Sequence, residues 1–400
     1  MGDCMIGKTS LVNLVDSSWN GLLDGVKRTA RIPILMAALA ASTPLFTGCE
    51  EPDIIADPEV PTVPTVPPEP ERLRDHGKIF FIGKPIESSV EDNSLSLWCA
   101  NSDGSGLKEL VDSVTAYSGW SSLKLSPDNT KLTFVKKDQH MVIDTSGAVL
   151  GTFSIMDRSI RDFSWTRDSK MILCGVYFSG IYSYDLESKT VSRIWQSASR
   201  TYDHEPVMSA VTGKIAFVHH SYGSYYDIYV SSMHAMKDSL KLVAAGDSTY
   251  YDAHMNLTWL DRNHLVYSNE RVNQLLCADV ETLEITKIVP SIEHFVLRDV
   301  SPDGKSVAAS GGPYTDKGIY LIGSSDLISG NKVFKKIPFP AFESASITCN
   351  GWSYDSRYFV CGDLYKTLIF DINGKEFRFL DKKDFPEAES YILDIEWAPK

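Results

Sequence analysis

Seven tight polar turns lie 40, 45, 49, 42, 51 and 45 residues apart between positions 126 and 398, and short apolar strands flank each of them. The intervals divide into four strands apiece, and the two ends of the repeat region carry complementary fragments of a single repeat. These three observations predict an all-β chain built as a seven-bladed β-propeller, with six or eight blades as the alternatives.

Taken in order, the chain opens with 25 residues that fit no part of that plan. Gly2–Thr9 satisfies a phosphate-loop pattern, G-x-x-x-x-G-K-T. Such a loop needs a strand before it to aim it and a helix after it, and only Met1 precedes Gly2. Residues 1–25 therefore read as a non-native extension, with the leader starting near Val26. Lys27, Arg28 and Arg31 then form a positive region, and Ile32–Ala41 is an uncharged apolar stretch too short to span a bilayer. The leader ends in Phe46-Thr47-Gly48-Cys49, which resembles the lipobox of bacterial lipoproteins, although most lipoboxes carry Leu where Phe46 stands. The resemblance implies a signal peptide over 26–48 and lipidation at Cys49, with ordinary secretion as the competing reading. Residues 50–70 hold seven prolines in an acidic setting. Proline at that density fixes φ and removes donors, so 49–75 reads as a stiff, extended tether.

The propeller is expected over 76–400. In the third repeat, Phe163–Trp165, Met171–Cys174, Gly180–Asp185 and Thr190–Trp195 serve as strands A to D. The A–B turns favour Asp because its side chain bonds its own backbone two residues on. They include Ser126-Pro127-Asp128, Thr166-Arg167-Asp168, Ser301-Pro302-Asp303-Gly304 and Ser353-Tyr354-Asp355. Several C strands end on Asp, at Asp144, Asp185, Asp279 and Asp371. These turns and strand ends resemble the WD40-like repeats of TolB-type propellers, and the resemblance covers 78–400. It speaks for the fold and hardly at all for activity. Residues 78–113 supply B, C and D strands with no A strand before them. The segment 391–397 supplies an A strand with no B strand after it, so the C-terminal strand is expected to close the ring.

Composition narrows the function. A hydrophobic content of 43% suits a large core. The first 48 residues hold four Lys/Arg and three Asp/Glu out of totals of 39 and 52, so the remainder carries 35 against 49, or −14. An acidic body with no Lys/Arg run longer than two residues argues against nucleic acid and anionic membrane surfaces as partners. Seven cysteines are too few for a disulfide framework. Cys349 and Cys361 flank the Asp355 turn symmetrically and are expected to face each other, as a bridge or as two small core residues. There is no G-x-S-x-G elbow, no H-E-x-x-H and no Cys-x-x-Cys.

Two constellations stand out. His204 and His254 each lie eleven residues before a B-strand marker, Ile215 and Leu265, and His294 introduces the next A strand two residues out of register. On innermost strands these three would ring a channel mouth. Inner-strand His bind a divalent metal in oligogalacturonate lyase propellers, and the similarity implies a possible metal and lyase chemistry. The Gln of that family has no counterpart placed here. Aromatics, among them Tyr177, Phe178, Tyr202, Tyr225, Tyr226 and Tyr251, crowd the D–A and B–C loops, where exposed rings beside Asp and Asn suit sugar stacking or a protein partner. The longer loops are read as 196–203, 219–227 and 244–253. The leading expectation is a monomeric envelope lipoprotein, membrane-bound through its lipid alone, whose propeller binds a glycan or an envelope protein without a cofactor. The alternative is a metal-assisted polysaccharide lyase.

Overall fold

The computed structural model describes residues 73–399 apart from segments 84–94, 116–122, 156–159, 199–200, 222–225, 246–255, 270–273, 289–294, 313–317, 339–348, 363–365, 374–375 and 382–391 and positions 138, 177 and 237. Among the described residues, twenty-eight strands fall into sets of four antiparallel strands, the arrangement of propeller blades. The first set is built from both ends of the described chain: Ile392–Ala398 lies beside Lys78–Gly83, followed by Leu95–Asn101 and Lys108–Thr115. The second (Leu123–Leu125, Lys131–Lys136, Gln139–Asp144, Val149–Phe153) joins the first through a two-residue ladder, Val114 and Thr115 against Lys136 and Val135. The third comprises Ile160–Trp165, Met171–Val176, Gly180–Asp185 and Thr190–Trp195. The fourth is Thr201–Met208, Lys214–Ser221, Tyr226–Ser232 and Lys241–Ala245. The fifth opens on the short Thr258–Trp259 and continues through His264–Asn269, Gln274–Asp279 and Ile285–Ile288. Val296–Val300, Ser306–Gly311, Gly318–Gly323 and Lys335–Pro338 make the sixth, and Cys349–Trp352, Tyr358–Gly362, Lys366–Asp371 and Glu376–Asp381 the seventh. Strand positions within each set are called A to D.

The B strands read as unbroken apolar runs because both of their faces are covered. In Lys78–Gly83, Ile79 and Phe81 join a buried cluster shared with the seventh set, while Phe80 and Ile82 point the other way into one shared with the second. Similar clusters lie between every consecutive pair of sets. Hydrophobic burial between sheets, not within them, is what holds neighbours together.

The A–B turns share one hydrogen-bonded plan. Ser126 Oγ donates to Asp128 Oδ1 at 2.6 Å and accepts the Lys131 N–H at 2.9 Å, while the Asn129 N–H donates to the Ser126 carbonyl at 2.8 Å. Ser301 and Ser353 repeat it with Asp303 and Asp355, and Thr166 does so with Asp168. The fourth turn residue takes the left-handed conformation, at φ 59° for Asn129, 56° for Ser169, 68° for Gly304 and 60° for Ser356. Adjacent turns are also laced together: the Asp128 N–H donates to Ser169 Oγ at 2.9 Å and the Asp303 N–H to Ser356 Oγ at 3.0 Å.

Ahead of the first strand, Leu73–His76 form a 3-10 turn, Leu73 packs on the core, and buried His76 contacts Asp355 Oδ2 at 3.1 Å. Two expectations are corrected. Cys361 lies opposite Asn350, and Cys349 opposite Gly362, so the two cysteines do not face each other and the register offers no bridge between them. The loops read as 196–203, 219–227 and 244–253 are shorter than that, because Thr201–Asp203, His219–Ser221, Tyr226–Asp227 and Ala244–Ala245 are strand. A short α-helix, Ser324–Ser329, also interrupts the sixth set between its C and D strands and buries Leu327.

Candidate functional site

The A strands of successive sets adjoin one another. The polar side chains that they direct away from the inter-sheet cores gather around a cavity of about 420 Å³. Lys124, Asp162, Glu205, Arg298 and Asp299 supply its charge, with Trp165 and Trp259 along its wall. Lys124 sits between apolar neighbours in Leu123-Lys124-Leu125, and Arg298-Asp299 form an adjacent charged pair between Leu297 and Val300. Charges set into short apolar strands were the available signal in the sequence.

Much of the acidic lining is architectural. A strands of different sets do not share a ladder, so inward backbone N–H groups need other acceptors. Carboxylates of the preceding set provide them: the Leu123 N–H donates to Asp394 Oδ2 at 2.8 Å, the Glu205 N–H to Asp162 Oδ2 at 3.2 Å and the Leu257 N–H to Glu205 Oε2 at 3.2 Å. Backbone N–H groups of Trp352 and Leu125 serve Asp299 and Glu396 in the same way. Indole N–H groups add a second tie between sets, from Trp165 to the Lys124 carbonyl at 3.1 Å and from Trp259 to the Val207 carbonyl at 3.2 Å.

The remaining electrostatics are uneven. Burial pushes the Glu396 carboxyl up to about 8 against the attraction of Lys124, and Asp394 and Asp299 push it the same way. Burial likewise raises Asp299 to about 6. For Lys124, burial pulls the ammonium down, but Glu396, Asp394, Asp299 and Asp162 together outweigh it and the net shift is upward. Lys124 and Glu396 stand 3.8 Å apart, with side chains 39% and 22% exposed. The contact is loose, and their opposite responses (one charge stabilised, the other opposed) fit a cation shared among several acids better than a tight pair. Arg298 is anchored by Nε to Ser310 Oγ at 2.6 Å.

The residues singled out from sequence fare differently. Tyr202 and Tyr226 are not exposed: they are 5% and 3% accessible, and Tyr226 stacks on His220 with ring centroids 4.3 Å apart. Both lie on strands rather than in the expected loops, and strand alternation turns both rings into the protein. His204 is 7% exposed, and neither of its ring nitrogens has a hydrogen-bond partner among the described residues. Its Nδ1 lies 3.6 Å from Glu205 Oε1 and 4.0 Å from Asp162 Oδ2. A bulge between His204 and Val207 sets Glu205 at φ 49° and re-aims its side chain. Among the described residues no three His, Cys, Asp or Glu side chains converge as a metal-ligand set. Tyr225, Tyr251, His254, His294 and Cys49 lie outside the described residues.

No family model matches the chain, and no curated protein matches it. Solved structures do. The crystal structure of oligogalacturonate lyase from Vibrio parahaemolyticus aligns over 76% of this chain and 86% of its own at a TM-score of 0.53, with 11% sequence identity. At that identity the likeness shows the fold alone: this chain is an all-β protein of repeated four-stranded sheets, similar in architecture to the propeller of that lyase.

Proposed function

We propose that the chain is an envelope lipoprotein whose seven sets of strands form a closed, TolB-type propeller acting as a binding module for a polar ligand, a glycan before a protein. Closure is supported by the pairing of Ile392–Ala398 with Lys78–Gly83 and by the buried cluster between the seventh and first sets. One observation carries the binding reading: a cavity of about 420 Å³ with charged groups and two indoles along it. That volume falls in the range of about 300–1,000 Å³ usual for small-ligand sites. Carboxylates and a guanidinium suit hydroxyl-rich ligands, which take hydrogen bonds at their rims, and the indoles supply apolar wall beside them. The test is calorimetric titration of the full chain with oligosaccharides of varied charge. Arg298→Ala should abolish binding of whichever sugar binds, with little change in melting temperature. Failure of every sugar to bind would overturn the glycan reading.

The lipoprotein part rests on the leader ending in Cys49 and the proline-rich tether after it. A second reading, metal-assisted polysaccharide lyase, is favoured by the unpartnered imidazole of His204 beside two carboxylates. Metal analysis of the purified protein separates the two readings.

A further inference from the structure

On the seam between the third and fourth sets three side chains stand in line. Asp203 on the A strand lies opposite His219 on the B strand, and Ser221 follows two residues later, on the same face as His219. His219 Nδ1 is 2.6 Å from Asp203 Oδ1, and Ser221 Oγ is 3.3 Å from His219 Nε2. We propose that Ser221, His219 and Asp203 form a nucleophilic triad that hydrolyses carboxylic esters.

The surroundings match the role of each group. The Asp203 side chain is fully buried, and its second oxygen accepts from Trp195 Nε1 at 2.9 Å and from Ser197 Oγ. A carboxylate fixed from two sides orients the ring it faces. Accepting the Nδ1–H of His219 leaves the Nε2 lone pair directed at the serine, the tautomer a general base requires. Hydrogen bonding to Asp203 raises the basicity of His219. Tyr229 closes the ring's edge at 5.6 Å, while the imidazole keeps 19% of its surface open. A carboxylate serving only to pin two sheets needs no hydroxyl at the far nitrogen of its histidine.

The chemistry balances without a cofactor. Ser221 Oγ attacks the ester carbonyl as its proton passes to His219 Nε2. The C–O bond to the alcohol breaks, and His219 returns the proton to the departing alkoxide. Water then attacks the acyl-serine with His219 again as base, releasing the carboxylic acid and restoring Ser221. Esters are preferred over amides because an alkoxide asks less of the general acid than an amine does.

The test is labelling of the intact folded protein with a fluorophosphonate, which transfers its phosphonyl group to an activated serine and loses fluoride. The adduct is mapped by peptide mass spectrometry, and p-nitrophenyl acetate turnover is measured in parallel. We expect one adduct, on Ser221, absent from Ser221→Ala, formed at least ~100-fold more slowly in His219→Gln, and abolished in urea. Because the adduct site is mapped on the wild-type chain, the result does not depend on any variant folding. No adduct at Ser221, where a known serine hydrolase labels fully, overturns the proposal. So does equal labelling of His219→Gln or of the urea-unfolded chain.

Discussion

Glu396 offers a quantitative probe of the buried charges around Lys124. Its carboxyl sits in the A strand that pairs with Lys78–Gly83, and burial beside Asp394 and Asp299 pushes it up to about 8 from an ordinary 4.5. Between those two pH values the folded chain holds a proton that the unfolded chain has released. A raised carboxyl therefore contributes stability that is fully present below about 4.5 and is lost as pH rises toward 8. One such proton sets a limiting slope of about 1.4 kcal/mol per pH unit, or at most about 3 kcal/mol between pH 5 and 7. The side chain is 22% exposed, and solvent screening reduces the expected loss to roughly half, about 1–1.5 kcal/mol. Glu396→Gln keeps the acceptor for the Leu125 N–H and removes the titration. Urea unfolding followed by Trp fluorescence at pH 5, 6, 7 and 8 should show the variant gaining on wild type steadily as pH rises. A wild-type-to-variant difference that stays constant across that range would refute the reasoning.

Further outcomes follow from the packing. Tyr226→Ala should cost about 3–5 kcal/mol, visible as a melting-temperature loss on the order of 10 °C, because the ring is 3% exposed and stacked on His220. Deleting residues 392–400 removes buried Ile395 and Trp397 and bares the inner edge of Lys78–Gly83, so light scattering should report aggregation. Gly175→Ala would place a Cβ 2.9 Å from the Cα of His204, and a melting-temperature drop corresponding to about 1–3 kcal/mol is expected. Cys49→Ser should release the protein from membranes into the soluble fraction on fractionation.

The repeat was legible because its signals are local. Asp-bearing turns and doubly covered B strands such as Phe217 and Val218, which face opposite cores, are written into consecutive residues. The third set has the four strands its sequence predicts, and the C-terminal strand pairs with Lys78–Gly83. The errors share another cause. Tyr202-Asp203-His204 looks polar and aromatic enough for a loop, yet alternation sends Tyr202 and His204 into one core and Asp203 into another seam. Whether a Tyr or His in such a strand meets solvent depends on the neighbouring sheet, which no local pattern encodes. The cavity was missed for a related reason: Lys124, Asp162, Glu205 and Arg298 come from four separate repeats and acquire a common purpose only when those repeats stand side by side.

The A–B turn behaves as a self-contained part. A hydroxyl, a carboxylate two residues on and one position tolerant of positive φ complete their own hydrogen bonds, and the lateral link from Asp128 to Ser169 or from Asp303 to Ser356 asks only for a second hydroxyl. Nothing in that circuit consults the residues of the strands, which are held to apolarity and size alone. Two chains can differ at about eight positions in nine and still share an arrangement of four-stranded sheets. A turn that completes its own hydrogen bonds leaves the strands between such turns free to change in sequence.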